Sequence, residues 1–405
     1  MPTKAWWLAG AAAAIAAVVA FSSGGGGDAG AVQAASAPAE GAGAQFFGQV
    51  ASGSAPLSAA AKAARIVELK QHFDLVDKTY CDYAANTRYP DVSRPVSQHP
   101  DQVYPNAPVT EAHPMRTGNG RTEPDVSLQT SQSRVYMASG EVAAFSLRAV
   151  DAQGKALPLV VTSAVAQGMT YAGKRATSQV PLAFADDGRG ADAVSGDGAF
   201  AGILAPGQTG LAGFAGTIRS EVRYTVNGKN GFVLFDVIYT PELPATWTGP
   251  VREAVEDGSL VYYLKTDVRI AGRYVVQGRV DDARGKPFAL ATFNDILQSG
   301  PGEVKLMVFG KLMRDQDAAL PLTLRDVDGY LLKENTDPDR ALMPRLEGKV
   351  LVGKPHPLKN FSDKEWESEE RTRHLVEFSK DVRLAQGAYN QLDPALEVPK
   401  SACLP

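Results

Sequence analysis

Residues 221–239, EVRYTVNGKNGFVLFDVIY, decide the fold class of this chain. Apolar and polar side chains alternate through 221–226, which is the period of a β-strand with one buried face, and 231–239 is a second short run rich in strand-forming residues. The residues between the two runs, Asn-Gly-Lys-Asn-Gly, are those that tight turns select. We therefore predict an antiparallel hairpin here.

Short runs of the same kind surround this hairpin. On its N-terminal side they occupy residues 126–130, 141–150 and 157–170. Strands at such spacing, without helices between them, are typical of an antiparallel sandwich of the immunoglobulin-like type. Residues 125–243 are therefore predicted to form a first β-sandwich domain.

A second β series begins after a short hinge, PATWTGP, at residues 244–250. Its runs are 258–268, 272–280, 287–293, 304–309 and 320–332. They predict a second sandwich over 250–352, so the expected fold class is mainly β with two tandem immunoglobulin-like β-sandwich domains. We find no close residue-level repeat that relates the two halves.

Two helices are predicted outside the sandwiches. The first covers about 58–85, with Ser58 as N-cap, and its apolar side is predicted to contain Ala64, Val67, Phe73, Val76 and Tyr80. It opens the segment 58–124, whose remainder, 86–124, is rich in proline and is predicted to be an extended, irregular linker that packs on the next domain. The tail, 353–405, should contain a second helix over 363–386, capped by Ser362 or Asp363 and ended by Gly387.

The N-terminal 57 residues indicate export. Residues 5–21, AWWLAGAAAAIAAVVAF, carry no charge and have the minimum length of a membrane-spanning helix. We predict an uncleaved signal anchor at 1–21, with a cleaved signal peptide as the alternative. Residues 22–57, rich in Gly, Ala, Ser and Pro, are predicted to be a flexible tether. Lys4 before the apolar run and Asp28 after it favour a single-pass inner-membrane protein whose bulk is periplasmic; cleavage would leave it periplasmic or secreted.

Cys81 and Cys403 are the only cysteines in the sequence. An even count in an oxidising compartment favours a disulfide. Such a bond would join the first helix to the extreme C-terminus. Two unrelated buried thiols are the alternative.

Composition and motifs narrow the function classes. The 39 glycines and 26 prolines suit a turn-rich β protein. The net charge of −4 offers no basic surplus to neutralise phosphates, so we do not expect a nucleic-acid partner. The sequence contains no His-Glu-x-x-His pair, no Gly-x-Ser-x-Gly elbow and no phosphate-binding loop, and we therefore predict that the protein is not an enzyme.

The most distinctive local sequence is FADDGRGADAVSGDGAF at residues 184–200. Its carboxylates, Asp186, Asp187, Asp192 and Asp197, are candidate calcium ligands, because glycine-rich loops let several oxygen atoms converge on one cation. Aspartate and glycine are also the residues that tight turns require for conformational reasons. A purely structural turn is therefore the competing interpretation.

The same loop carries a family resemblance. The pattern Asp-Asp-Gly-x-Gly-x-Asp, followed after four residues by Asp-Gly-x-Phe, resembles loops of bacterial extracytoplasmic immunoglobulin-like modules. Residues 271–282, 304–312 and 325–332 are similar to blocks of the "choice-of-anchor X" proteins. The resemblance spans roughly 125–345 and implies an extracytoplasmic location and a β-sandwich architecture. It implies no catalytic residues.

Three hypotheses follow. The first is a non-catalytic, membrane-anchored cell-envelope protein that binds or assembles with a protein partner through its sandwiches. The second is a calcium-stabilised surface adhesion module that uses the Asp/Gly loop. The third is a periplasmic hydrolase, or a hydrolase accessory protein, with a polar pocket at the hinge near Trp247.

Overall fold

The computed structural model describes residues 58–117, 121–170 and 177–404. Ala61–Pro405 forms one compact unit. The other unit, Met1–Ala60, lies almost entirely outside the described residues, and with it the predicted signal anchor and tether. Among the helices of the described ranges, none has both the length and the apolar composition needed to cross a membrane.

The described chain is mainly β, with few helices. The helices are α1 (Ala59–Asn86), α2 (Gly310–Asp315) and α3 (Glu369–Leu392). The first ten strands are β1 (Ser93–Pro95), β2 (Val109–Arg116), β3 (Thr122–Gln132), β4 (Tyr136–Ala138), β5 (Ala143–Val150), β6 (Leu159–Gly168), β7 (Val180–Pro181), β8 (Phe184–Ala185), β9 (Phe200–Leu204) and β10 (Gly216–Val226). The second ten are β11 (Lys229–Thr240), β12 (Ala245–Trp247), β13 (Arg252–Glu256), β14 (Ser259–Val268), β15 (Gly272–Asp281), β16 (Pro287–Leu297), β17 (Gly300–Val308), β18 (Thr323–Leu332), β19 (Arg340–Leu342) and β20 (Leu346–Val352).

Strands β2 to β11 form two five-stranded sheets, which we call the N-terminal sheet pair. Their strand orders are β2-β3-β5-β9-β8 and β4-β11-β10-β6-β7. One cluster of buried side chains contains residues from both sheets. Within it the rings of Phe145 and Phe235 stack with their centroids 4.7 Å apart. Each sheet therefore buries one face, which accounts for the alternating pattern in the sequence.

The predicted hairpin is confirmed, with a shorter turn than the sequence indicated. Strands β10 and β11 pair antiparallel from Gly216↔Tyr239 to Val226↔Lys229. Only Asn227 and Gly228 remain between the strands, and both have positive φ, 51° and 77°. Two-residue turns of this kind require positive φ at both positions and match the twist of the strands.

The remaining strands form the C-terminal sheet pair. A six-stranded sheet has the order β1-β16-β15-β18-β19, with β20 also paired to β18. A four-stranded sheet has the order β12-β14-β13, with β17 also paired to β14. A second core cluster joins these two sheets, and Tyr262, Tyr274, Leu306 and Leu324 are completely buried within it.

The prediction of an irregular linker over 86–124 was wrong. This segment supplies β1, which pairs with β16 of the C-terminal sheet pair, and β2, which pairs with β3 of the N-terminal sheet pair. Both strands contain proline, which cannot donate to a ladder but is tolerated at a sheet edge. The prolines hid the strands, because edge strands need no regular alternation of apolar residues.

Helices α1 and α3 pack against each other. Their shared core contains Leu69 and Phe73 from α1 and Val382, Ala385 and Tyr389 from α3. The predicted apolar side of α1 is partly wrong, since Val67 is 57% exposed. A slip in the apolar spacing of α1 had placed Val67 on the wrong face.

The predicted bounds of the C-terminal helix were also wrong. It begins at Glu369, where the Ser368 hydroxyl accepts a hydrogen bond from the Arg371 N–H, and it continues through Gly387 to Leu392. The residues just before Glu369 stay extended because they pack on the rest of the protein. The backbone N–H of Trp366 donates to the Arg88 carbonyl, and the Trp366 ring contacts the Phe309 ring edge-on. Nine further helices and strands were missed because two to seven residues carry too little periodicity, namely α2, β4, β7, β8, β9, β12, β13, β19 and β20.

Ion pairs connect the two sheet pairs within the compact unit. The Arg345 guanidinium donates to both carboxylate oxygens of Glu141, at 3.0 and 2.9 Å, and to the Tyr136 carbonyl at 3.0 Å. Arg134 pairs with Glu141 and with Glu347, each at 3.1 Å. We call these contacts the junction network. They hold the end of β4 beside the segment that leads into β20.

Candidate functional sites

The Asp/Gly loop is held at its base by a short strand pair. Residues 186–199 connect β8 to β9, and these strands pair through Phe184↔Gly202 and Ala185↔Ala201. The loop brings together one carboxylate oxygen from each of Asp186, Asp192 and Asp197, all within 4.8 Å of one another. It does not bring Asp187 into this group; the Asp187 carboxylate accepts a hydrogen bond from the Arg189 N–H at 3.0 Å.

Backbone amides of the loop already bind all three converging carboxylates, including Asp197, which accepts from the Ala199 N–H at 2.9 Å. Asp186 accepts hydrogen bonds from the Gly196 and Gly198 N–H groups at 2.6 and 2.9 Å. Asp192, only 8% exposed, accepts one from the Gly188 N–H at 2.5 Å. These three glycines have φ between 69° and 82°, a region that other residues rarely adopt. The loop is thus a closed turn, and the carboxylates stabilise its backbone.

The geometry leaves room for a cation role as well. Each carboxylate oxygen has more than one lone pair, so an amide hydrogen bond does not prevent metal coordination. Three carboxylates supply at least three of the six to eight oxygens that calcium takes, and carbonyls or water would supply the rest.

The two cysteines are joined in a disulfide. Cys81 lies in the last third of α1, and Cys403 lies in the C-terminal tail. Their Cα atoms are 5.5 Å apart, and the bond spans 322 residues of sequence. It attaches the end of the chain to α1 on the helix pair.

A cleft of about 460 Å³ lies at the predicted hinge. Its apolar surface is formed by Trp247, Val251, Leu264, Leu346 and Val350, and its charged groups are Lys265, Arg345, Glu347 and Lys349. The Trp247 indole N–H donates to the Pro344 carbonyl at 2.7 Å, and Arg345 and Glu347 belong to the junction network. Among the described residues, the lining includes no histidine, serine or cysteine. Two of its charged groups, Arg345 and Glu347, already form ion pairs across the junction.

A second opening lies on the outer side of the N-terminal sheet pair. It is a shallow groove of about 440 Å³ crossed by β2, β3 and β5, and Ala199, the last residue of the Asp/Gly loop, forms one side. Hydroxyl and amide side chains line it, together with Glu111 and Arg148. We call it the Arg148 groove. The sequence analysis did not identify it, because its members are scattered over three strands.

Two arginines at equivalent positions were also not singled out from the sequence: Arg148 and Arg279. A signal was present. The pattern Arg-x-x-Asp-Ala-x-Gly-Lys occurs at 148–155 and again at 279–286. The prediction that the two halves share no close repeat was therefore wrong for this eight-residue segment.

Comparisons with known proteins identify only distant structural similarities. No family model and no curated protein matches the sequence, so the choice-of-anchor resemblance is not established by them. A DUF4785 family protein from Legionella pneumophila subsp. pneumophila str. Philadelphia 1 is similar over 56% of this chain and 57% of its own, with 12% identity and a TM-score of 0.37. The adhesin InvE of Yersinia pseudotuberculosis is similar over 54% and 58%, with 10% identity and a TM-score of 0.17.

A third similarity is to the BSP domain of a biofilm-associated protein. It covers 56% of this chain and 30% of that one, with 11% identity and a TM-score of 0.15. The chain thus spans less than two thirds of each of these three structures. Likenesses this distant assign no function to this chain.

Proposed function

We propose that this chain is a non-catalytic cell-envelope protein, anchored in the inner membrane by residues 5–21, that binds or assembles with a protein partner in the periplasm. In this proposal each sheet pair is an immunoglobulin-like sandwich. The Cys81–Cys403 disulfide is the observation that carries it. Disulfides form and persist in oxidising compartments such as the periplasm and are rare in the cytosol. Release by cleavage after the N-terminal segment is the variant of the same proposal.

The junction network supports an assembly role. Arg345 and Arg134 both bind Glu141, whose side chain is only 15% exposed, so the sheet pairs are connected by a partly buried charge cluster and not by a bare linker. Partly desolvated ion pairs are screened less by solvent and salt than exposed ones. A body whose two halves keep one orientation can present a constant surface to a partner.

Cell fractionation combined with thiol trapping tests the location. We expect the protein in the membrane fraction at full length, with neither cysteine reacting with a maleimide until a reductant is added. A Cys403→Ser variant should show one reactive thiol, which verifies that the assay detects Cys81. Recovery of the chain in the cytosol with two reactive thiols would contradict the proposal.

Photo-crosslinking tests the assembly role. Crosslinkers placed at exposed positions of the sheet pairs should give discrete adducts with envelope proteins in intact cells. The expected adducts depend on position, because a fixed body offers a partner only part of its surface. Uniform or absent crosslinking over both sheet pairs would oppose an assembly function.

A second candidate function is a calcium-stabilised surface module. The convergence of Asp186, Asp192 and Asp197 favours it. Thermal melting in calcium and in chelator tests it, since a site held at 100 times its dissociation constant adds about 2.7 kcal/mol to the free energy of unfolding. The Asp197→Asn variant is the control and should lose the calcium response. Equal melting temperatures in calcium and chelator would leave the loop as a structural turn.

A further inference from the structure

The two copies of the eight-residue repeat form the same backbone turn. In the first copy the Asp151 N–H donates to the Lys155 carbonyl at 2.9 Å, and its carboxylate accepts from the Lys155 N–H at 2.9 Å. In the second copy Asp282 and Lys286 make the same two hydrogen bonds, both at 2.9 Å. The arginine three residues before each aspartate therefore occupies an equivalent position at the end of an inner strand, β5 or β15.

Arg279, in the second copy, is covered by the chain itself. Its neighbour Val280 lies in the core of the C-terminal sheet pair, so Arg279 points to the opposite face of the sheet. There it is 1% exposed and donates to the Gln102 backbone carbonyl at 3.1 Å and to the Gln102 side-chain oxygen at 2.6 Å. It also pairs with Asp328 of its own sheet. A segment of the chain that forms a short 3-10 helix at Pro100–Gln102 thus covers this arginine.

Arg148, in the first copy, has no such cover. Leu147 and Ala149 lie in the core of the N-terminal sheet pair, so Arg148 also points to the outer face. Its Nε is buried but has no hydrogen-bond partner, and the described part of the chain offers its guanidinium no ion pair. Native proteins satisfy nearly all buried polar atoms, so one left without a partner requires an explanation.

The surroundings of Arg148 suit a polar, extended ligand. Thr110, Ser131 and Ser146 lie side by side on three neighbouring strands, in the register Thr110↔Ser131 and Ser131↔Ser146. Gln129 faces Arg148 directly across the strand pair. Hydroxyl and amide groups both donate and accept, so they can hydrogen-bond to the backbone of a peptide.

We propose that the Arg148 groove binds a peptide segment of a partner protein that carries a carboxylate. The chain's own segment at Gln102 shows how the equivalent arginine is satisfied. Arg279 has Asp328 within its own sheet to balance its charge. Arg148 forms no ion pair in the described ranges, even with Glu111 of the same groove, so we assign that role to a carboxylate of the ligand. This inference rests on the proposed function for the existence of a protein partner.

A peptide of the chain's own linker is the probe that tests the inference. The acetylated, amidated peptide of residues 99–107, HPDQVYPNA, carries both a carboxylate and the glutamine that binds Arg279. With a fluorescent label it should bind the full-length protein saturably below about 1 mM in anisotropy measurements. The Arg148→Gln variant should weaken binding about tenfold or more, because charge-assisted hydrogen bonds are lost.

Two controls locate the peptide. A peptide with Asn in place of Asp101 should also bind the wild-type protein more weakly, and an Arg223→Gln variant on the other sheet, where Arg223 is exposed and pairs with Glu221, should bind normally. Binding that survives Arg148→Gln, or no binding up to that concentration, overturns the inference. If the wild-type protein self-associates, does not bind the peptide, and loses self-association in the Arg148→Gln variant, a second copy of this chain occupies the groove. That result would also overturn the inference.

The outcomes separate this inference from the proposed function. The anisotropy assay uses purified protein and does not depend on cellular location. If crosslinking finds an envelope partner whose adduct is unchanged by Arg148→Gln, the inference fails while the proposed function stands. If the chain proves cytosolic but the peptide still binds through Arg148, the proposed function fails and the groove remains a peptide site.

Discussion

At the scale of single residues, Arg279 makes the most consequential contacts in the C-terminal sheet pair. It combines complete burial with five acceptors, including Gln102, Asp326 and Asp328. Removing one partner of a buried charged network leaves the others unsatisfied, and this costs more than the hydrogen bonds themselves contribute.

We predict that Arg279→Gln lowers the free energy of unfolding by about 3 kcal/mol. Arg148→Gln, at the equivalent position of the repeat, should cost less than about 1 kcal/mol because Arg148 makes no ion pair in the described structure. Urea denaturation followed by circular dichroism measures both. If the two variants lose the same free energy of unfolding, the chain segment at Gln102 that covers Arg279 contributes little to stability.

Asp282 is a buried carboxylate held by hydrogen bonds. Burial acts to raise its pKa, but hydrogen bonds from Lys286 and Arg284 outweigh burial and lower the pKa below the ordinary value of 3.8. A carboxyl group whose folded-state pKa is depressed stabilises the protein above its unfolded pKa. This contribution is lost as the pH falls through the folded-state value.

We predict that Asp282→Ala costs about 2 kcal/mol at neutral pH. The difference from the wild type should shrink as the pH falls below about 4, where the unfolded-state carboxyl becomes protonated. Asp151→Ala in the first repeat is the matched control and should cost about 1 kcal/mol, because Asp151 is less buried and forms no ion pair there. Denaturant unfolding between pH 3 and 7 measures the free energy of unfolding of each variant. A stability difference between Asp282→Ala and the wild type that does not change with pH would refute the prediction.

At the scale of elements, the disulfide links α1 to the tail that follows α3. The shared core of α1 and α3 is small, with five fully buried side chains. A cross-link stabilises chiefly by restricting the unfolded chain, and the effect increases with the length of the loop that it closes. This loop spans 322 residues.

We predict that the double variant Cys81→Ser/Cys403→Ser is less stable by about 2–5 kcal/mol. Hydrogen exchange should accelerate in α1 and α3, while the β10–β11 hairpin, far along the chain in its own core, should change little. Wild-type protein that is reduced and alkylated serves as the control and should match the variant. Uniform acceleration over both sheet pairs would indicate that the disulfide supports the whole unit.

Element order could be predicted from the sequence only where the period was clear. The two strand-like runs and the turn residues of 221–239 predicted β10 and β11, because one face of each strand is buried in a single core. The strands β1 and β2 could not be predicted, since an edge strand is specified by the neighbour that it joins and not by its own pattern.

At the scale of the whole molecule, the junction network decides whether the two sheet pairs move together. Glu141 is its centre, because it binds Arg345 and Arg134 and also accepts the Ala138 N–H at 2.7 Å. No other carboxylate among the described residues joins the same groups. The orientation of the sheet pairs should therefore be sensitive to this one side chain.

We predict that Glu141→Gln costs about 1–2 kcal/mol and increases hydrogen exchange near residues 136–138 and 345–347. Small-angle scattering should then show a wider range of molecular dimensions. Glu303→Gln is the matched control: Glu303 pairs with Arg252 inside one sheet pair, at an exposed site, and should cost under about 0.5 kcal/mol. Unchanged scattering and exchange in Glu141→Gln would show that other contacts fix the junction.

The two candidate sites differ in how far the sequence could predict them. The Asp/Gly loop could be identified in the sequence, because its aspartates and glycines are adjacent in the chain and local turn geometry selects both. The structure then separated Asp187 from the three converging carboxylates. The Arg148 groove could not be identified, because its lining residues come from strands that meet only after folding.

The amino-acid sequence by itself determined the β-rich character, the main hairpin, the existence of two long helices and the loop of aspartates and glycines. These depend on local periodicity and turn chemistry, which act over a few residues. Only the tertiary structure decided that the proline-rich segment contributes a strand to each sheet pair, that Arg279 is covered while Arg148 is not, and that Glu141 connects the two halves. Those outcomes depend on contacts between residues far apart in the chain, for which a single sequence contains no periodic signal.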